Sequence, residues 1–268
     1  MSSSENKQFG YTLETKANES QIAQRDKIRQ MFEQRPMPDE HLLVSMGLYM
    51  RSSALVKILF INELYELILN VPGVIVEFGV WWGQNLVLAE NLRAIHEPFD
   101  QTRRVIGFDT FKGYAGFSDQ DKPSQESGFK SFTDVVKTGG YSVSEGYRHY
   151  LDELISAHEG TNVLGKLRRH TLIEGDVTET APRYFKENPG TIVALAYFDL
   201  ALYQPTKACL EAILPCLVPG SVVLLDELNY AEAPGETVAF KEVFANVDYS
   251  IRKSKYIKDK SIVIINKV

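Results

Sequence analysis

The chain has 268 residues, 44% hydrophobic and 24% charged, with 29 Lys and Arg against 35 Asp and Glu for a formal charge of −6. This is ordinary globular composition, long enough for one large domain or two smaller ones with a full core. The acidic balance argues against the broad basic face that nucleic-acid or membrane-surface binding needs.

The longest stretch without a charged residue, Ala212 to Leu225, is broken by Pro215, Pro219 and Gly220. A helix crossing a bilayer needs about 20 apolar residues, so no span is expected. The opening MSSSENKQFG lacks the apolar run of a signal peptide, and a cytoplasmic protein is expected. Cys209 and Cys216 lie seven apart on an expected helix, about 10 Å along its axis, too far for a disulfide. Both read as buried thiols.

Residues 1–24 are polar and without apolar periodicity, and read as a mobile tail. From 25 to 72 the pattern is helical, with Leu42, Leu43, Met46, Leu48 and Tyr49 marking one segment. Ile58, Leu59, Ile61, Leu64, Tyr65 and Leu67 mark another. This N-terminal helical extension is available to pack between subunits of a homo-oligomer.

From residue 73 to the end, short runs rich in β-branched residues alternate with amphipathic stretches. The runs are Val74–Phe78, Val105–Phe108, His170–Ile173, Ile192–Phe198, Val222–Leu225 and Ile262–Ile265. Most lack the alternation of a half-exposed strand, as expected for a mostly parallel sheet covered on both faces. The pattern predicts a doubly wound, Rossmann-like α/β fold. Residues 111–150, rich in Gly, Ser and charge, read as a long lid insertion.

In such sheets the ligand binds beyond the carboxyl ends of the strands, so the strand-end residues are the candidates. The first strand ends in Glu77-Phe78-Gly79-Val80-Trp81-Trp82-Gly83 and enters a helix near Asn85. Two glycines let backbone approach a ligand, and the helix N-terminus offers free N–H groups. The second strand ends at Asp109, suited to accept from two ribose hydroxyls. The third ends in Glu174-Gly175-Asp176, where Asp176 either accepts from an adenine amino group or caps the next helix. After the fourth and fifth strands stand Asp199 and the pair Asp226-Glu227. Three carboxylates at one edge call for a positive charge, and Mg²⁺ is the natural one. The alternative is a capping Asp226 and a solvated Glu227.

Taken together, these strand ends resemble the macrocin O-methyltransferase (TylF-like) family of class I S-adenosylmethionine-dependent enzymes. The quoted motifs include Val-Glu-Phe-Gly-Val-Trp-Trp-Gly, Gly-Phe-Asp-Thr-Phe-Lys-Gly, Ile-Glu-Gly-Asp, Phe-Asp-Leu-Ala-Leu-Tyr-Gln-Pro-Thr and Leu-Asp-Glu. The resemblance covers roughly Gly73 to Phe244 and implies methylation of a sugar hydroxyl on a natural product, nucleotide sugar or polysaccharide. It implies that Glu77, Gly79, Trp81 and Gly83 line the methionine end of S-adenosylmethionine, with Asp109 on the ribose and Asp176 near the adenine. It also implies Mg²⁺ held by Asp199, Asp226 and Glu227.

One position departs from the family pattern. The resemblance implies an Asp two residues after the first metal ligand as general base, and here that position is Ala201. His149 in the lid is a candidate replacement, with an unperturbed pKa near 6.5, and Asp199 is the other candidate catalytic group. The lid's Lys112, Lys122, Lys130 and Lys137, among Tyr114, Tyr141 and Tyr147, suit a polar, sugar-containing acceptor. Two rival readings are another tailoring enzyme on the same fold and a catalytically silent binding or assembly partner, which Ala201 keeps open.

Overall fold

The computed structural model describes residues 2–6, 11–15, 17–123 and 131–267. Strands β1 (Ser2–Asn6) and β2 (Tyr11–Thr15) pair antiparallel as a separate two-stranded sheet. Helix α1 (Glu19–Glu33) follows a capping box in which Asn18 and Gln21 exchange side-chain and backbone hydrogen bonds at 2.9 Å. The helix therefore starts inside the segment read from sequence as a tail to residue 24. A one-turn α2 (Asp39–Leu42) and α3 (Ser52–Leu67) complete the N-terminal helices. Leu43, Val44 and Leu48 between them are largely exposed.

The chain then alternates as expected. In order come β3 (Val74–Phe78), α4 (Gln84–His96), β4 (Val105–Asp109), α5 (Phe132–Val135), α6 (Tyr147–Gly160) and β5 (His170–Glu174). These are followed by α7 (Val177–Glu187), β6 (Val193–Phe198), α8 (Tyr203–Ile213), β7 (Leu217–Leu225), α9 (Gly235–Val243), β8 (Asp248–Lys253) and β9 (Ser261–Lys267). The sheet order is β5-β4-β3-β6-β7-β9-β8, parallel from β5 to β7, with β9 antiparallel to both of its neighbours. This is the doubly wound, mostly parallel sheet expected, closed at one edge by an antiparallel hairpin.

Alternation along β3 builds two cores. Val74, Val76 and Phe78 pack with Phe185 of α7, Leu210 of α8 and Phe240 of α9. Ile75 faces the other way, among Phe60 and Leu64 of α3, Leu86 of α4 and Leu151 of α6. Helices on both faces explain why the parallel strands read as continuous apolar runs. Strand β7 begins already at Leu217 and carries Pro219 and Gly220, so its first half escapes a hydrophobicity reading. Strand β8 is a mostly exposed edge strand with no apolar run to announce it. Cys209 is buried in α8 and Cys216 half-buried beyond it; both thiols are free. Among the described residues no helix is long and apolar enough to cross a membrane.

Candidate active site

Strand order reverses between β3 and β6: the chain builds outward through β4 and β5 on one side and through β7 on the other. The crevice at the carboxyl ends of such strands is the expected ligand site. A cavity of about 510 Å³ lies there, lined by Gly79 and Trp81 after β3, Asp109 ending β4 and Asp176 after β5. Asp199 after β6, Glu227 after β7, and Tyr114, Phe132 and Tyr141 from the 111–150 insertion complete its wall.

Local backbone geometry explains the turn after β3. At Gly79 (φ +89) a Cβ would sit 2.1 Å from the carbonyl oxygen of Asp199, so only glycine permits this approach. Gly83 (φ +77) precedes α4, and a Cβ there would meet the Leu151 side chain at 2.5 Å. The two tryptophans part company. Trp82 turns inward onto Tyr147, whose hydroxyl donates to the Trp82 carbonyl at 2.9 Å. Trp81 stays on the cavity wall, edge-on to Tyr141. Left-handed non-glycine residues follow four consecutive positions of the sheet: Trp81 (φ 49), Phe111 (φ 55), Ala201 (φ 57) and Asn229 (φ 67). Backbone strain of this kind, about 1–3 kcal/mol each, gathers where a ligand is held.

Asp109 binds this turn to its own. Its Oδ2 accepts the Trp81 N–H at 2.8 Å and its Oδ1 the Phe111 N–H at 2.5 Å. Burial nevertheless pushes its carboxyl above the usual range. Asp176 caps α7, accepting the backbone N–H of Thr178 at 2.9 Å and its hydroxyl at 2.7 Å, and also borders the cavity.

Glu77, Asn85, Gly83 and Gly175 lie behind the wall rather than on it. Glu77 is buried beneath the turn; its Oε1 accepts from Asn85 Nδ2 at 2.7 Å and its Oε2 has no partner. Burial, with the charge of Asp199 adding to it, pushes the Glu77 carboxyl up to about 8.

Asp199, Asp226 and Glu227 each bring a carboxylate oxygen within 4.8 Å of the others. A fourth acid, Glu236 on α9, is fully buried, and its Oε1 accepts the Glu227 N–H at 2.9 Å. Burial and the Asp226 charge raise Asp199 to about 7 and Glu236 to about 8. Burial, then Glu236, pushes Glu227 well above the carboxylate range. Glu227 Oε2 is buried without a hydrogen-bond partner. An all-oxygen set short of positive charge fits a hard divalent cation.

The family model of the macrocin O-methyltransferases (TylF) matches residues 62–248. The chain belongs to that family. A crystal structure of CalS11, described as a calicheamicin methyltransferase, superposes with a TM-score of 0.83 at 36% identity, covering 93% of this chain and 94% of that one. A second, apo structure of CalS11, described as a TDP-rhamnose 3′-O-methyltransferase, gives 0.78 at 35% identity, covering 93% and 96%. A rhamnosyl-tetracenomycin C 4′-O-methyltransferase of Streptomyces olivaceus is 27% identical over 170 residues, 59% of this chain and 54% of that protein. The chain thus spans about half the length of that curated relative.

Position 201 is where the resemblance implies an acidic general base. Ala201 is buried and offers no polar side-chain atom to the cavity. His149, the sequence-level substitute, does not take its place. It projects from the first turn of α6 with a 75% exposed side chain, 3.4 Å from Glu153, and is not on the cavity wall. The reason is helical phase: the 111–150 insertion becomes helix at Tyr147, and the inward positions go to Tyr147 and Leu151.

The rest of the insertion is better anchored than its composition suggests. Tyr114 forms an aromatic cluster with Phe117, Phe132 and Tyr141, and the Phe132 N–H donates to the Glu232 carbonyl at 2.9 Å. Lys130 lies outside the described residues. Sequence reasoning missed Asp121, Lys57 and Lys260, which reach the site from distant segments, and Glu236, nine residues after Glu227; none sits in a motif.

Proposed function

We propose that this TylF-family chain transfers the methyl group of S-adenosylmethionine to a hydroxyl of a sugar, carried on a nucleotide or on a natural product. The carrying observation is that one continuous cavity is bordered both by the Gly79–Trp81 turn with Asp109 and by Asp199 and Glu227. Donor and acceptor would therefore meet in a single space. The relatives that act on TDP-rhamnose and on a rhamnosylated aglycone support a sugar acceptor.

In this reading Asp109 accepts from the ribose, using lone pairs left after the two backbone bonds, and Asp176 borders the adenine. Gly79 and Trp81 line the methionine end, with Glu77, Gly83 and Asn85 supporting the turn and Gly175 opening the chain toward Asp176. S-adenosylmethionine, when bound, supplies an electrophilic methyl for in-line displacement. The chain's work is then orientation and exclusion of water. Asp199, Asp226 and Glu227 would hold Mg²⁺, which when bound lowers the cost of charge building on the accepting oxygen. With Ala201 in the base position, the proton leaves to a carboxylate of the cluster. Asp199 borders the cavity and is placed to take that proton.

The test is calorimetry with S-adenosylhomocysteine, followed by transfer of labelled methyl to TDP-deoxysugars and rhamnosylated aglycones. Binding and labelling of a sugar hydroxyl are expected. Absence of binding, or binding without transfer to any sugar, overturns the reading.

A further inference from the structure

We propose that Lys57 and Tyr197 are positioning residues that hold Asp226 toward the reaction site, making helix α3 a working part of it. This rests on the function proposed above. Asp226 carries donors on both carboxylate oxygens. The Tyr197 hydroxyl donates to Oδ1 at 2.8 Å, and Lys260 Nζ donates to Oδ2 at 2.6 Å and to the Asp226 carbonyl at 2.7 Å. The Tyr197 hydroxyl in turn accepts from Lys57 Nζ at 2.9 Å.

The direction of this chain is set by proton inventory. An ammonium can only donate, and a phenol has one proton. With Lys57 donating to its oxygen, Tyr197 turns its own proton to Asp226. The Tyr197 ring is buried and packs edge-on to Phe60 of α3, so it has little freedom to swing away.

Helix α3 also governs the second donor. Glu63, six residues after Lys57, accepts from the Ser254 hydroxyl at 2.6 Å and from Arg252 at 2.9 Å. Those residues lie at the end of β8 and the start of the turn that brings Lys260 to Asp226. Ser254 N–H donates to the Lys260 carbonyl at 2.9 Å, closing that turn. One helix thus fixes both donors on one carboxylate, Lys57 through Tyr197 and Glu63 through the β8–β9 turn. Held through both oxygens, Asp226 keeps its remaining lone pairs for the space shared with Asp199 and Glu227.

Tyr197→Phe removes only the hydroxyl, and Lys57→Met removes the charge and the hydrogen bond it donates to Tyr197. Three readouts are needed: affinity for Mn²⁺ alone by electron paramagnetic resonance, kcat and KM with the acceptor, and the Kd for S-adenosylhomocysteine. Both variants should lose about tenfold or more in Mn²⁺ affinity and in kcat, the range in which partners of metal ligands act. Cofactor Kd should stay within about twofold, and Lys57→Arg should recover most of the loss. Unchanged Mn²⁺ affinity and kcat in both variants would overturn the proposal, as would a loss of cofactor binding in step with kcat. A parent that turns over without binding Mn²⁺ would overturn the metal reading, and the kcat of Tyr197→Phe would still decide the positioning role. A parent that binds Mn²⁺ without turnover would overturn the function, and Mn²⁺ affinity in the variants would decide the positioning role. A parent that does neither overturns both.

Discussion

Asp121 accepts the backbone N–H of Tyr203 through Oδ1 at 2.6 Å, a bond joining the 111–150 insertion to the first residue of α8. Helix α8 has no capping side chain of its own, since Leu202 occupies that place. Asp121 supplies the cap from 82 positions away and is almost fully buried, its Oδ2 accepting the Ser118 N–H and hydroxyl. Asp121→Ala should lower stability by about 2–3 kcal/mol, the scale of charged hydrogen bonds lost from a buried site. Hydrogen exchange should rise at both Ser118–Asp121 and Tyr203–Thr206. A rise at the insertion alone would mean that α8 does not depend on this cap.

Asp109→Ala should weaken S-adenosylhomocysteine binding by about 1.5–3 kcal/mol in calorimetry, with Asp109→Asn losing less. The structure adds a second cost to the alanine variant. The Trp81 and Phe111 N–H groups would lose their acceptor, loosening two turns already held at left-handed φ. Equal binding by parent and alanine variant would remove Asp109 from the cofactor site.

Glu77 ties stability to pH. Its carboxyl is pushed from an ordinary 4.5 up to about 8, chiefly by burial. A raised carboxyl pKa means that the folded state keeps a proton the unfolded chain has released. The contribution is fully present below about 4.5 and is lost as pH rises through about 8. Tm of the ligand-free protein should therefore fall between pH 6 and about 8 more steeply than that of Glu77→Gln. Parallel Tm profiles for the two proteins would contradict this.

Metal dependence is tested by chelation. Activity should vanish in excess chelator, return with Mg²⁺, and fall in Asp199→Asn. Full activity in excess chelator would leave Asp199, Asp226 and Glu227 as an electrostatic device without an ion.

Ala201→Asp introduces the acid that the family resemblance implies at this position. The backbone already holds φ 57 there, a conformation Asp adopts more readily than Ala. The added carboxyl would be buried two residues after Asp199, whose own carboxyl is already raised by burial and the Asp226 charge. Metal-free Tm should therefore drop while kcat with Mg²⁺ rises. A lower kcat would show that the acceptor is shaped to fit against alanine.

What was legible in the sequence follows a physical division. β3, β4, β5 and β6 are short parallel strands buried on both faces, and their apolar runs end at the polar residues that reach the cavity. Gly79, Trp81, Asp109, Asp176, Asp199 and Glu227 are legible in this way as residues bordering one cavity, because the topology alone brings strand ends together. Of the alternatives for Asp176 the structure shows the cap on α7, in a carboxyl that also borders the cavity. Contacts between distant segments were illegible. Nothing around Asp121 tells of Tyr203, nor around Lys57 of Tyr197. The cluster formed by Tyr114, Phe117, Phe132 and Tyr141 was likewise hidden, because a Gly- and Ser-rich background masks aromatics with no fixed spacing. His149 failed because its turn of helix faces outward.

The contact at Gly79 also sets a length scale for the chemistry. Because the peptide after β3 rests against the carbonyl of Asp199, the floor under the proposed sulfonium and the floor under the accepting oxygen are two strand ends in direct backbone contact. No rotamer lies between them to be adjusted by evolution or by heat. Swapping the acceptor in this scaffold is therefore a matter of reshaping the 111–150 wall, while the donor-to-acceptor separation travels unchanged from one substrate to the next.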